Sequence, residues 1–256
     1  MFRLPPPRFS CSLALLAIVC FAPFAFSPAQ SPDKPSPGQP LPDQPSDQAA
    51  FLSHLDAAVQ ARYDRVLAFT DVEHYSVFRG KDQTHPAAEM TVRITYRKGV
   101  GKSHVILSQT GSSIIQSLGL EPLLDSEEAI NNPADVRRSW FTTENYVMKL
   151  LPGRSLLLRG VLCQAVSIKP RHRATNLIDG TLWVDPATFA ILRVDGIASK
   201  RPSIFAGTTH MLRDYAFMDG FSQAIHARAQ ADSFFFGRTV VTIDYTDYHI
   251  QLSPGP

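Results

Sequence analysis

Cysteine is scarce in this chain: three occur in 256 residues, at Cys11, Cys20 and Cys163. The first two fall in an apolar N-terminal stretch that reads as a removable leader. Cys163 is then left alone, which excludes an intramolecular disulfide. Its setting, GVLCQAVSI at 160–168, is that of a small buried hydrophobe rather than a nucleophile. Charge of one sign is lacking too. Lys and Arg number 25 against 23 Asp and Glu, and the excess disappears once Arg3 and Arg8 leave with the leader. That balance excludes nucleic acid as a partner. No Gly-x-Ser-x-Gly elbow is present for a serine hydrolase. The eight histidines (His54, His74, His85, His104, His172, His210, His226 and His249) contain no pair at the i, i+4 spacing of a helical zinc site. Tyr245, Asp247 and His249 alternate on one strand and read as an ordinary polar sheet face.

One stretch imitates a phosphate-binding loop. YRKGVGKS at 96–103 has Tyr96 where such a loop needs its first glycine, and a strand pattern follows instead of a helix. It reads as a hairpin turn. The basic clusters at 169–173 and 200–202 sit at strand ends and read as solvated loops. No metal and no cofactor is implied by any of these patterns.

What is present begins with compartment signals. Arg3 and Arg8 precede an apolar run over 9–26, interrupted by Pro23 and followed by the small residues of Ser27-Pro-Ala29. This is the layout of a secretory signal peptide over 1–29, and the proline makes the run a poor membrane span. Residues 30–48 are rich in proline and nearly devoid of apolar side chains, as in an extended tether. One domain is expected over 49–251, with a disordered tail at 252–256.

Within that domain, Phe51, Leu52, Leu55, Val59, Tyr63 and Val66 recur at helical spacing over 49–67. Period two takes over from Val72. Met90, Val92, Ile94 and Tyr96 alternate with polar residues, and 103–108 (SHVILS) answers them across the Lys98-Gly-Val-Gly101 turn. A helical insertion over 112–132 is split by Gly119 and Pro122. Strands then follow at 144–151, 155–158, 161–169, 180–185, 190–200, 208–217, 222–232 and 236–249. The expected class is α+β: a strongly curved, unclosed antiparallel sheet, a half-barrel, wrapped around a few helices.

The stretch DGTLWVDPATFAILRVD at 179–195 carries three carboxylates, Asp179, Asp185 and Asp195, which raises the possibility of a hydrolase. Asp185-Pro186 suits the first two positions of a type I turn, with the Asp side chain accepting from N–H groups ahead of it. Leu182, Val184, Phe189 and Ile191 then share one face of a hairpin, and Trp183, Ala190, Leu192 and Thr181 the other. Both faces are largely apolar, so the sheet here needs cover on both sides or an apolar ligand.

GTLWVDPATFAILRV at 180–194 resembles a hairpin that recurs in the LolA/LolB/RseB superfamily of periplasmic lipoprotein-sorting and lipid-sensing proteins. RGVLCQAVSIKP at 159–170 is similar to the strand before it, and FGRTVVTIDYTDY at 236–248 to the closing strand. The tether at 30–48 departs from the pattern of the small soluble carrier. The resemblance implies a non-enzymatic, periplasmic monomer whose half-barrel holds lipid or lipoprotein acyl chains in a hydrophobic cavity, as carrier or sensor. An alternative is a protein–protein module of the same fold, with an envelope protein as partner. Strand alternation selects Val92, Ile94, Val105, Leu107, Met148, Leu182, Val184 and Ile191 as cavity-lining residues. Burial of acyl chains is worth about 0.8 kcal/mol per methylene, so such a lining needs no catalyst to act.

Overall fold

The computed structural model describes residues 45–129, 132–200, 206–218, 221–233 and 237–254. The leader and most of the proline-rich tether lie outside the described residues. Helix α1 (Pro45–Arg65) opens the described chain and ends two residues before its apolar pattern does. The chain leaves the helix at Val66 because that residue pairs with Leu252 at the start of β1 (Val66–Arg79). Long-range pairing overrides a local pattern that alone would continue the helix.

Next come β2 (Ala88–Arg97) and β3 (Gly101–Gly111), joined by the turn that imitates a phosphate loop. A helical segment follows: a short turn α2 (Ser113–Ile115), a π-helical turn (Gln116–Leu120), α3 (Glu121–Glu128) and α4 (Pro133–Arg137). Pro122 sits in the first turn of α3, where a missing N–H costs nothing. Seven further strands complete the chain: β4 (Tyr146–Leu158), β5 (Val161–Pro170), β6 (Ile178–Val184), β7 (Ile191–Ala198), β8 (Ala206–Met218), β9 (Phe221–Ser233) and β10 (Gly237–Leu252).

All ten strands join one antiparallel sheet in the order β3-β2-β1-β10-β9-β8-β7-β6-β5-β4. Only the β1–β10 pairing departs from sequence neighbours, and it places β1 beside the last strand. β3 and β4 are therefore the two edges, and the strongly curled sheet stays open between them.

The inner face carries the larger core. Phe51, Leu52, Leu55 and Val59 of α1 and Leu120, Leu123 and Leu124 of the α3 region pack with residues from nearly every strand. Trp140 and Phe141, just before β4, join them, and Tyr63 meets the Trp140 ring at 4.7 Å. The outer face carries a second, smaller cluster around Trp183, with Leu158, Cys163, Ala165, Ala190 and Leu192. The hairpin of β6 and β7 divides its side chains between the two clusters. Leu182, Val184 and Ile191 are buried inside, with Phe189 packed against them, whereas Trp183, Ala190 and Leu192 are buried outside. Its apolar character on both faces is thereby accounted for.

The turn of that hairpin is held by Asp185. Its carboxylate accepts from the Ala187 N–H at 2.9 Å and from the Thr188 hydroxyl at 2.6 Å. Cys163 is fully buried, and burial pushes its thiol up to about 11, with Asp185 acting in the same direction.

Candidate functional site: the inner face and its polar edge

Along β1, Phe69, Asp71, Glu73, Tyr75 and Val77 share the inner face. They pair with Tyr96, Ile94, Val92, Met90 and Ala88 of β2 without a register shift. The inner face thus runs from an apolar end at Tyr75 and Met90, through two acids, to an aromatic end. There the Phe69 and Tyr96 rings stack at 5.1 Å. At this end of the sheet lies a groove of about 570 Å³, lined by residues 67–70, 95–97 and 249–251, whose side chains alternate between the two faces. The volume lies in the range of roughly 300–1,000 Å³ common for small-molecule pockets, although this groove is shallow and open. Deeper in, a gap between Phe141, Ile178, Val194, Met211 and Tyr215 measures about 10 Å³, room for one water at most.

Six of the eight residues selected by strand alternation, Val92, Ile94, Met148, Leu182, Val184 and Ile191, are buried together in the inner core. The other two do not join them. Val105 is 62% exposed and Leu107 is 45% exposed. The cause is a register shift between Thr91 and Val92, which leaves Leu107 without a partner on β2 and sets Val105 opposite Arg93. The β3 residues opposite Val92 and Ile94 are instead Ile106 and His104.

A group of ionisable residues lies at this edge of the inner face, and strand alternation did not select it. Asp71, Glu73 and Glu127 are only 2%, 4% and 8% exposed. Lys102 of β3 reaches Glu127 of α3 at 2.7 Å, within a region where both side chains are nearly covered. Tyr75 donates its hydroxyl to Glu73. Arg213 of β8 reaches the Tyr245 hydroxyl at 3.0 Å. One oxygen of Asp71, Oδ1, is buried without any hydrogen-bond partner. Burial, reinforced by the Glu73 charge, pushes the Asp71 carboxyl up to about 8. Glu73 is raised as well, chiefly by burial. For Lys102, burial opposes the charge, but Glu127 and Glu73 outweigh it and its pKa rises.

The same edge holds the segment 113–128 onto the sheet through polar side chains. Glu128 Oε1 accepts from the His104 backbone N–H at 2.6 Å and lies 2.7 Å from its Nδ1. Gln109 donates to Glu121 at 2.9 Å. Gln116 donates to the carbonyls of Glu89 and Thr110 at 2.7 and 2.8 Å. Together with Lys102–Glu127, these contacts run almost the length of β3.

A faint signal for the acids existed in the sequence. Asp71 and Glu73 have the parity of Tyr75 and Val77, so any strand that buries the tyrosine buries them too. Asp179 and Asp195 are not brought into a cleft with Asp185, whose side chain is occupied by its turn. Asp195 lies opposite Thr181 on β6.

No family model matches the chain, and no curated protein does. Several solved structures are similar to it. A protein described as an outer membrane lipoprotein-sorting protein domain, from Vibrio parahaemolyticus, is 11% identical, with 82% of this chain and 94% of that one covered and a TM-score of 0.45. A LolA superfamily protein from Nitrosomonas europaea is 13% identical over 81% of this chain and 94% of that one, with a TM-score of 0.41. A DUF1329 family protein from Desulfovibrio piger is 14% identical over the same shares, also with a TM-score of 0.41.

Proposed function

We propose that this chain binds acyl chains of a lipid or lipidated protein, without catalysis, as an exported carrier or sensor of the periplasm. The observation that carries the reading is the continuity of the inner face. Val92 and Ile94 lie in the inner core beneath the helices, and the next residue of that row, Tyr96, stacks on Phe69 at the end of the sheet where the groove opens. An acyl chain seated in the groove would displace only water at first. A chain that goes deeper beneath the helices would replace leucines of the α3 region, which are buried there. Six of the residues proposed to line the path are those of the inner core; Val105 and Leu107 face away from it.

The test is uptake of a fluorescent fatty acid by delipidated protein, with native mass spectrometry of protein purified from the cell envelope. Ile250→Glu places a charge at a partly buried position of the groove and should weaken uptake at least ten-fold while leaving the β-sheet circular dichroism unchanged. Absence of any bound lipid together with no uptake by the wild type would end the proposal.

A second reading, the protein–protein module, is favoured by one observation. Val105, Leu107, Ile114 and Leu118 are exposed along β3 and the turns that follow it. Scattered exposed apolar residues are ordinary, but these four lie along a sheet edge and the segment that follows it.

A further inference from the structure

The chain as a whole is nearly balanced in charge, but one stretch is not. Between Met90 and Leu120 stand Arg93, Arg97, Lys98 and Lys102, with no Asp or Glu among them. Two of these cations are occupied. Lys102 reaches Glu127 at 2.7 Å, and Lys98 donates to the Asp64 carbonyl at 3.1 Å and lies over the Tyr63 ring. Arg93 and Arg97 are exposed, and neither forms an ion pair among the described residues. Both stand on the outer face of β2, since Val92 and Ile94 alternate with them and belong to the inner core. Glu89 of β2 and Asp244 of β10, on that same outer face, are each engaged with a histidine, His74 at 3.3 Å and His226 at 2.7 Å.

The same stretch is where apolar side chains reach solvent. Of the twelve large hydrophobic residues exposed among the described residues, six lie within 100–118: Val100, Val105, Ile106, Leu107, Ile114 and Leu118. None is aromatic, whereas the buried centres of protein interfaces favour aromatic side chains. Val105 lies opposite Arg93 in the β2–β3 register, so an exposed aliphatic side chain and an unpaired arginine share one face. That face calls for apolar cover and negative charge together.

The backbone of the edge narrows what can supply them. A peptide or a second copy commonly uses a sheet edge by adding a strand to it. Here groups of β3 that do not bond to β2 are already taken near both ends. The His104 N–H donates to Glu128 at 2.6 Å, and the Thr110 carbonyl accepts from Gln116 at 2.8 Å. A partner that needs the ladder must first displace those side chains. A bilayer surface needs no ladder, because it takes up aliphatic side chains without directional bonds and presents acidic headgroups to arginine.

We propose that the outer face of β2–β3 docks on a bilayer surface that carries anionic lipid. Arg93 and Arg97 meet the headgroup phosphates, and Val105 and Leu107 enter the boundary beneath them. Arg97 also lines the groove at this end of the sheet, so the docked face adjoins the site proposed for an acyl chain. Passage of a chain from the bilayer into that groove rests on the acyl-binding reading, but headgroup recognition does not.

The test is flotation of the protein with two kinds of vesicle built on the same acyl chains: phosphatidylcholine alone, and phosphatidylcholine mixed with phosphatidylglycerol. The wild type should prefer the mixed vesicles and lose that preference as salt rises, since salt screens the headgroup contacts. An arginine near an anionic surface is worth about five-fold in partition, so Arg93→Gln with Arg97→Gln should weaken binding to mixed vesicles roughly thirty-fold. Val105→Ser with Leu107→Ser should weaken it about ten-fold and keep the preference for mixed vesicles. All four positions are exposed, and circular dichroism checks that the sheet is intact in each variant. Equal binding to the two vesicles overturns the proposal, and so does either double variant that partitions like the wild type. Binding to neither vesicle overturns it as well and leaves the surface to a protein partner. Docking is scored without fatty acid, so protein that docks yet takes up no fatty acid counts against the acyl reading alone. Protein that takes up fatty acid yet ignores both vesicles counts against this surface alone.

Discussion

Replacing Lys102 with methionine tests the edge cluster most directly. Its Nζ lies 2.7 Å from Glu127 Oε2, and the two side chains are 13% and 8% exposed. An exposed pair at that distance would be worth about 0–1 kcal/mol. A covered pair behaves differently, because removing one partner leaves the other charge desolvated and uncompensated, at a cost of about 3–5 kcal/mol. The small exposures place this pair in the second case. Losing Lys102 also makes Asp71 and Glu73 harder to ionise, since the lysine favours the charged form of both. Lys102→Met should therefore lose about 3–5 kcal/mol at pH 7.5, a large share of the roughly 5–15 kcal/mol that holds a typical domain. Urea unfolding followed by the fluorescence of the buried Trp140 and Trp183 reads it out. The loss should shrink at pH 5.5, where the acids can take up protons instead of standing ionised without a cation. The double variant Lys102→Met with Glu127→Leu should recover most of the stability, since apolar groups of similar size replace a buried pair at little cost. A loss below about 1 kcal/mol at pH 7.5 would show that the pair acts as a surface contact, and the reasoning would fall.

Two further outcomes are expected elsewhere in the sheet. Gly180 and Gly196 lie directly opposite each other across β6 and β7, and a Cβ on Gly180 would sit 2.2 Å from the Asp195 carbonyl oxygen and 2.5 Å from the Gly196 Cα. Both are backbone atoms that cannot rotate away, so Gly180→Ala should part the strands and cost about 1–3 kcal/mol in thermal or urea unfolding. Asp185→Ala removes two side-chain hydrogen bonds from the β6–β7 turn and should cost about 1–2 kcal/mol, with Asp185→Asn recovering part of it because the amide oxygen still accepts from Ala187.

The strands were legible because period two is a strong signal wherever one face is buried. The residues Met90, Val92, Ile94 and Tyr96 needed only alternation to place them inside, and the β6–β7 hairpin showed two apolar faces that the structure fills with two separate clusters. Alternation failed at β3, where a one-residue register shift beside Leu107 turns every later side chain to the opposite face. No local property of SHVILS announces that shift. The edge cluster was hidden for a related reason. Asp71 and Glu73 share the parity of Tyr75, but polar residues in a strand are weak evidence for an inner face, and it is their pairing with Ile94 and Val92 that fixes them there. The pair Lys102–Glu127 joins residues 25 apart that no spacing rule connects.

The closed interior bears directly on which ligand could enter it. Leu120, Leu123 and Leu124 are 3%, 3% and 1% exposed, and lifting their segment returns them to water. At about 1.5–3 kcal/mol for each buried leucine, opening without a ligand forfeits roughly 5–9 kcal/mol of hydrophobic burial. An acyl chain that takes their place regains about 0.8 kcal/mol per methylene, so some six to eleven buried methylenes are needed to restore the balance. Short-chain ligands fall under that threshold and would be confined to sites that need no opening, such as the groove at Phe69 and Tyr96. Chains of membrane-lipid length exceed it, and the margin they leave is only a few kcal/mol. Every additional buried leucine in that segment would raise the threshold for entry by roughly a further two to four methylenes.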